Sequence, residues 1–207
     1  MGKYVERFNT RERVLHWFVT VTFFTQLLSG LGLYSRLFVG YLDLFGGGQG
    51  AIFIHKYTGV LFLLSSLLLF MNHFKEMNSF DEDDRNWFRQ LGGYLSRGSD
   101  HINSGKFNAG QKAYGLFMGV AAMLLGVTGF IVWFPLSFPI GIVRVSLLVH
   151  GLLFIMSIMF VIVHAYLTTI GNPGTLESMI YGSVRRIWAK AHHPKWYKEI
   201  SEQEKTG

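Results

Sequence analysis

A chain of 207 residues that is half hydrophobic and only 15% charged, with a mean hydropathy of +0.29, carries too little charge for an ordinary soluble domain. It has no cysteine, which excludes disulfides and thiolate-held Fe–S clusters and leaves histidine-held metal or organic cofactors for any redox role. The net charge of +6 lies around apolar runs, which argues for membrane flanks and against nucleic acid.

Four apolar runs of membrane-crossing length follow in order, at about 14–34, 52–71, 113–134 and 147–170. A basic, polar stretch leads directly into the first without a small-residue cleavage site, so no cleavable signal is expected. In hydrocarbon the backbone must satisfy itself, so each run predicts a helix. The expected fold is all-α: an integral membrane four-helix bundle forming one domain over 1–207, with short interfacial helices. Sixteen of the 19 Lys and Arg residues lie before the first run, between the second and third, or after the fourth. Both termini and the central loop are therefore expected in the cytoplasm.

The central loop, about 72–112, is too long to be bare. Trp87, Phe88, Leu91, Tyr94 and Leu95 recur in it at helical spacing and predict an interfacial helix. The loop ends on Lys106-Phe-Asn-Ala-Gly-Gln-Lys112. Asn108 and Gln111 offer neutral amides and Gly110 lets a ligand approach the backbone, which suits a quinone head group. Asn108 also suits an ordinary helix N-cap. On the third run Gly115, Gly119, Ala122, Gly126 and Gly129 share one face, which fits close helix packing or room for a flat macrocycle. After the fourth run Asn172, Pro173 and Gly174 stop the helix. Thr175 can cap an amphipathic helix reaching to about Lys190 in the cytoplasmic tail, 171–207.

The fourth run carries His150 and His164 with no acid or base beside them. Fourteen residues fall only about 40° short of four turns and rise about 21 Å, so both rings leave one face, near opposite membrane edges. With alternating helix directions, His16 shares the inner level with His164, and His55 the outer level with His150. A lone histidine at a membrane edge is commonly an interfacial side chain. Four that sort into two level pairs match the axial ligands of two six-coordinate b-type haems. Zinc fits less well, because neither pair has a carboxylate or thiolate beside it. His73, His101, His192 and His193 lie outside the apolar runs and read as solvent-side residues.

The chain resembles the gamma subunit of membrane-bound respiratory formate dehydrogenase, a di-haem cytochrome b with four transmembrane helices. The resemblance rests on His16-Trp17, His55, the KFNAGQK segment at 106–112, the VRVSLLVH run ending at His150, His164, and the tail from Arg186 to Glu199. The run Gly46-Gly-Gly-Gln-Gly50 falls outside it. The resemblance implies that His55 and His150 hold the outer haem iron and His16 and His164 the inner one. It implies that Asn108, Gly110 and Gln111 line a menaquinone pocket near His164. It also implies an Fe–S (beta) subunit as electron donor, a molybdenum- or tungsten-containing catalytic (alpha) subunit that oxidises formate, a bacterial inner-membrane location among lipid, and a larger oligomer of the complex. A cytochrome b subunit of an uptake hydrogenase, a non-redox anchor and a metal transporter are the other classes to weigh, the last poorly served by spans with so few polar residues.

Overall fold

The structure, a computed structural model, describes residues 2–90, 92 and 103–206. Four helices among the described residues are long and apolar enough to cross a membrane: α1 (Thr10–Tyr34), α2 (Gly47–Asn72), α5 (Ala109–Trp133) and α6 (Ile140–Tyr166). Each begins a few residues before the apolar run that announced it. The polar first turn costs nothing outside hydrocarbon, and helical propensity runs on past the hydropathy edge. The remaining helices are α3 (Phe74–Met77), α4 (Glu82–Arg89), α7 (Thr175–Tyr181), α8 (Arg186–His192) and α9 (Pro194–Thr206), with strands β1 (Tyr4–Glu6) and β2 (Ser183–Arg185).

The chain divides into two compact units. One holds Val14–Met71 and Met118–Val163; the other holds Met1–Arg13, Asn72–Phe117 and His164–Gly207. In the first unit Phe23, Phe62 and Ala122 form a buried cluster, with Val19, Leu27, Met118 and Val161 packed on it. The glycine face of α5 is filled by side chains of α2. A Cβ on Gly119 would stand 2.6 Å from Phe70 Cδ2, and one on Gly126 would stand 2.7 Å from Leu63 Cδ2. Phe70 and Leu63 step seven residues back as the glycines step seven forward, the signature of antiparallel helices in close contact. At these two positions packing, not a macrocycle, occupies the bare face. Val21, Leu64, Val127 and Ile162 are exposed, as residues that meet lipid would be. Ahead of α2, a 3-10 stretch over Arg36–Phe45 ends at Gly46, whose φ of +81° favours glycine. A Cβ on Gly50 would lie 1.9 Å from the Phe45 carbonyl oxygen, which accounts for glycine there.

The second unit departs from a purely helical reading. β1 and β2 pair antiparallel, with Val5 opposite Val184, so the two far ends of the chain are tied together. The tail is not one helix from Thr175 to about Lys190. It stops at Gly182, whose φ of +82° ends α7 and whose carbonyl accepts from Arg7 N and Phe8 N at 2.8 and 3.0 Å. Thr175 is not the cap either: Gly174 takes that position, and Thr175 Oγ1 donates back to the Asn172 carbonyl. Past the break Val184, Ala189 and Trp196 form the unit's small core. Before it, helix α6 passes into a π-turn at Leu167–Gly171. In the central loop α4 carries Trp87 and Phe88 of the expected interfacial helix; Leu91, Tyr94 and Leu95 lie outside the described residues.

Candidate functional site

In the first unit α2 and α6 bring His55 and His150 together, with ring centroids 6.4 Å apart and planes at 63°, an edge-on arrangement. Two metal–nitrogen bonds of about 2.0 Å, with the ring radius added at either end, place axial imidazole centroids roughly 6 Å apart. Direct ring stacking would bring them closer. The outer ends of both rings are held. Ser29 Oγ lies 2.9 Å from His55 Nδ1, and Thr128 Oγ1 lies 2.9 Å from His150 Nδ1. Each hydroxyl spends its own proton on a helix carbonyl, Ser29 on Thr25 O at 2.6 Å and Thr128 on Leu124 O at 2.7 Å. Each therefore accepts from its imidazole, which puts the ring proton on Nδ1 and leaves Nε2 bare. An imidazole that donates through one nitrogen and offers the other is the form that binds metal. The pair thus fits a six-coordinate haem iron, with neutral rings and oriented lone pairs.

The neighbourhood keeps the two rings in place. Gly30 follows Ser29, and a Cβ there would be 3.1 Å from His55 Cε1; Gly129 follows Thr128, and a Cβ there would be 3.4 Å from His150 Cε1. Gln26 fixes α1 to α2 at His55: its Nε2 donates to the His55 carbonyl at 3.0 Å and to Thr58 Oγ1. A hydroxyl residue followed by glycine recurs on α1 and α5, and that doublet was the available sequence signal for Ser29 and Thr128.

His16 belongs to the first unit and stands edge-on to Trp17, with centroids 5.5 Å apart. His164 belongs to the second. Its ring stacks on Tyr114 at 4.6 Å with planes only 4° apart, one turn before the π-turn that ends the helix. Such turns cluster at functional sites.

Asn108 and Gln111 form a reciprocal cap on α5. Gln111 N donates to Asn108 Oδ1 at 2.9 Å, and Asn108 N donates to Gln111 Oε1 at 3.0 Å. Only the carbonyl oxygens are consumed, which leaves both side-chain NH2 groups outside the cap. Gly110 is covered by Trp87 of α4: a Cβ there would be 2.5 Å from Trp87 Cη2. Lys112 ties the same two helices, donating to Asp84 Oδ2 at 2.6 Å and to the Ser79 carbonyl at 2.7 Å. The KFNAGQK segment is thus a rigid platform under α4.

Two histidines expected at the solvent side are buried. His73 is 5% exposed and His193 is 2% exposed, because the N-terminal stretch 7–12, the stretch 105–107 and the tail close over them; His192 is exposed, and His101 lies outside the described residues. His193 Nδ1 donates to the Gly105 carbonyl at 2.7 Å, and Arg7 Nη2 donates to His193 Nε2 at 3.0 Å and to the Lys106 carbonyl at 2.8 Å. Burial, then the Arg7 charge, pushes His193 well below its usual range. Burial also lowers Arg7 itself to about 9. Its guanidinium lies over the rings of Trp188, Phe8 and Trp196, which partly repay the lost water. On the tail, the hydrogen bond from Lys195 holds the Asp81 carboxyl down to about 2.

A family model described as prokaryotic cytochrome b561 matches residues 7–182. The cytochrome b556(Fdn) subunit of the nitrate-inducible formate dehydrogenase of Escherichia coli (strain K12) is 34% identical over 210 residues, covering 98% of this chain and 94% of its own. The cytochrome b556(fdo) subunit of formate dehydrogenase from the same strain is 29% identical over 199 residues, covering 95% and 93%. The formate dehydrogenase cytochrome b556 subunit of Haemophilus influenzae is 30% identical over 201 residues, covering 93% and 82%.

Proposed function

Because the chain belongs to the prokaryotic cytochrome b561 family and binds haem b, we propose that it carries electrons from a periplasmic Fe–S subunit across the bacterial inner membrane to menaquinone. It is the multi-pass cytochrome b subunit of a formate dehydrogenase; formate itself is oxidised on the molybdenum- or tungsten-containing partner. The whole chain acts as one cytochrome b domain with both termini in the cytoplasm, as the Lys and Arg distribution favours.

The observation that carries this reading is the His55–His150 pair at 6.4 Å with both Nδ1 atoms engaged. His55 and His150 hold the outer haem iron; the sequence resemblance assigns His16 and His164 to an inner one. Bound haem supplies a one-electron Fe(III)/Fe(II) couple. Ser29 and Thr128 fix the tautomer and raise the basicity of the outer ligands, which favours the ferric state. The apolar helices keep water from the iron. On the cytoplasmic side the NH2 groups of Asn108 and Gln111 donate to a quinone carbonyl, and the reciprocal cap holds them to one geometry. Electron transfer across the membrane stores about 2.3 kcal/mol per charge per 100 mV.

The test separates cap from quinone contact. Asn108→Asp keeps a good N-cap oxygen and removes the NH2 donor. Menaquinol formation with formate as donor is expected to fall while thermal stability holds. Unchanged turnover with a menaquinone analogue would refute the quinone contact.

A further inference from the structure

Quinone reduction consumes protons, and the second unit holds a titratable pair, a buried histidine and a half-buried glutamate, next to the quinone segment. His73 Nε2 lies 3.3 Å from Glu12 Oε1, and Lys106 Nζ lies 3.4 Å from the same oxygen. Glu12 Oε2 accepts from Asn9 N at 2.7 Å, so the carboxylate is anchored. Side-chain exposure falls from 26% at Lys106 through 14% at Glu12 to 7% at His73, a graded path inward. The far nitrogen, His73 Nδ1, is buried with no hydrogen-bond partner among the described residues. A buried polar atom left so in a native fold calls for an explanation. The ring is clamped edge-on by Phe107 at 5.2 Å and Phe8 at 6.2 Å. The residue after Phe107 is Asn108.

We propose that Glu12 and His73 are the proton inlet for the quinone held at Asn108 and Gln111, a role that rests on the quinone reading above. In the step, an O–H bond forms at a quinone carbonyl oxygen and the Nδ1–H bond of the His73 imidazolium breaks. The ring, left neutral with its proton on Nε2, shifts that proton to Nδ1 by tautomer exchange; the vacated Nε2 is then recharged from the Glu12 carboxyl at 3.3 Å, which reloads from cytoplasmic water. Two such protons join two electrons from formate, so that quinone becomes quinol. Burial and then Lys106 lower the proton affinity of His73, and Glu12 and Glu76 raise it. Among the described residues, these are the charged groups that act on it.

The test uses the purified complex with formate as donor and a menaquinone analogue as acceptor, following haem reoxidation across the neutral pH range. His73→Phe is expected to slow reoxidation about 100-fold, with formate-driven haem reduction and the KM for the analogue unchanged. In His73→Ala, added imidazole is expected to restore part of the rate, which a packing role would not allow. Glu12→Gln removes a negative neighbour, so the limb on which the rate falls with rising pH is expected to move to lower pH. A wild-type rate and pH profile in His73→Phe would overturn the proposal. So would a Glu12→Gln profile with its limb unmoved, or a slowed His73→Ala that imidazole leaves unrestored. Wild-type complex whose haems the analogue fails to reoxidise would overturn the quinone reading, and this proposal with it.

Discussion

Thr128→Val is the sharpest single perturbation of the proposed outer ligand pair, His55 and His150. Valine keeps the branched shape of threonine on α5, so the helix seam is undisturbed. What is lost is the 2.9 Å contact to His150 Nδ1. The imidazole then either leaves its N–H to the Leu125 carbonyl alone, at a cost of up to about 1–3 kcal/mol, or moves its proton to Nε2, where it competes with iron. Removing a partner of this kind weakens metal binding by about 10- to 100-fold, or about 1.4–2.8 kcal/mol. The ligand also becomes less basic, so the ferric state loses support and the midpoint potential of that haem is expected to rise. Redox titration of the purified complex, with haem retention followed during a thermal ramp, measures both effects. Ser29→Ala is expected to act in the same direction through His55. Wild-type potential and retention in both variants would refute the assignment of these hydroxyls, and would weaken the case for His55 and His150 as ligands.

His164→Ala is expected to leave the haem at His55 and His150 in place, to halve the haem content and to abolish quinone reduction; two haems per chain in this variant would be decisive against it. Gly119→Leu drives a side chain into Phe70, since its Cβ alone would sit 2.6 Å from that ring, and is expected to cost about 1–3 kcal/mol of stability in a detergent melt. Pairing it with Phe70→Ala is expected to recover part of the loss. At the tail, Lys195 holds Asp81 to about 2, below the usual carboxylate range. That contact therefore stabilises the docked tail throughout the neutral range and is lost as pH falls through about 2, so proteolytic protection of α9 is expected to be flat from neutral to moderately acidic pH. Asp81→Asn is expected to loosen α9 already at neutral pH, and equal protection in the two proteins would contradict this.

The membrane helices were legible because hydrocarbon imposes one simple rule on composition and length, and the runs at 14–34, 52–71, 113–134 and 147–170 obey it. The His55–His150 pairing followed from level counting, since alternating helix directions convert sequence position into depth. Ser29 and Thr128 were harder to see, because a hydroxyl in an apolar helix most often bonds only its own backbone. The tail was misjudged for a different reason. Gly182 can sit within an amphipathic pattern, and nothing local tells that its carbonyl will receive Arg7 N and Phe8 N from the other end of the chain. The same long-range closure buries His73 and His193, which lie in polar sequence and are sealed only by tertiary contacts. Three-residue strands leave no periodicity to read.

The proposed electron path requires four imidazoles to hold two haems in this one polypeptide. Pyridine haemochrome quantitation against protein mass, on complex purified after expression with ample haem, tests it most directly. Two haem b per chain are expected, falling to one in either His55→Ala or His164→Ala. A colourless preparation would contradict it, and so would a wild-type ratio of one.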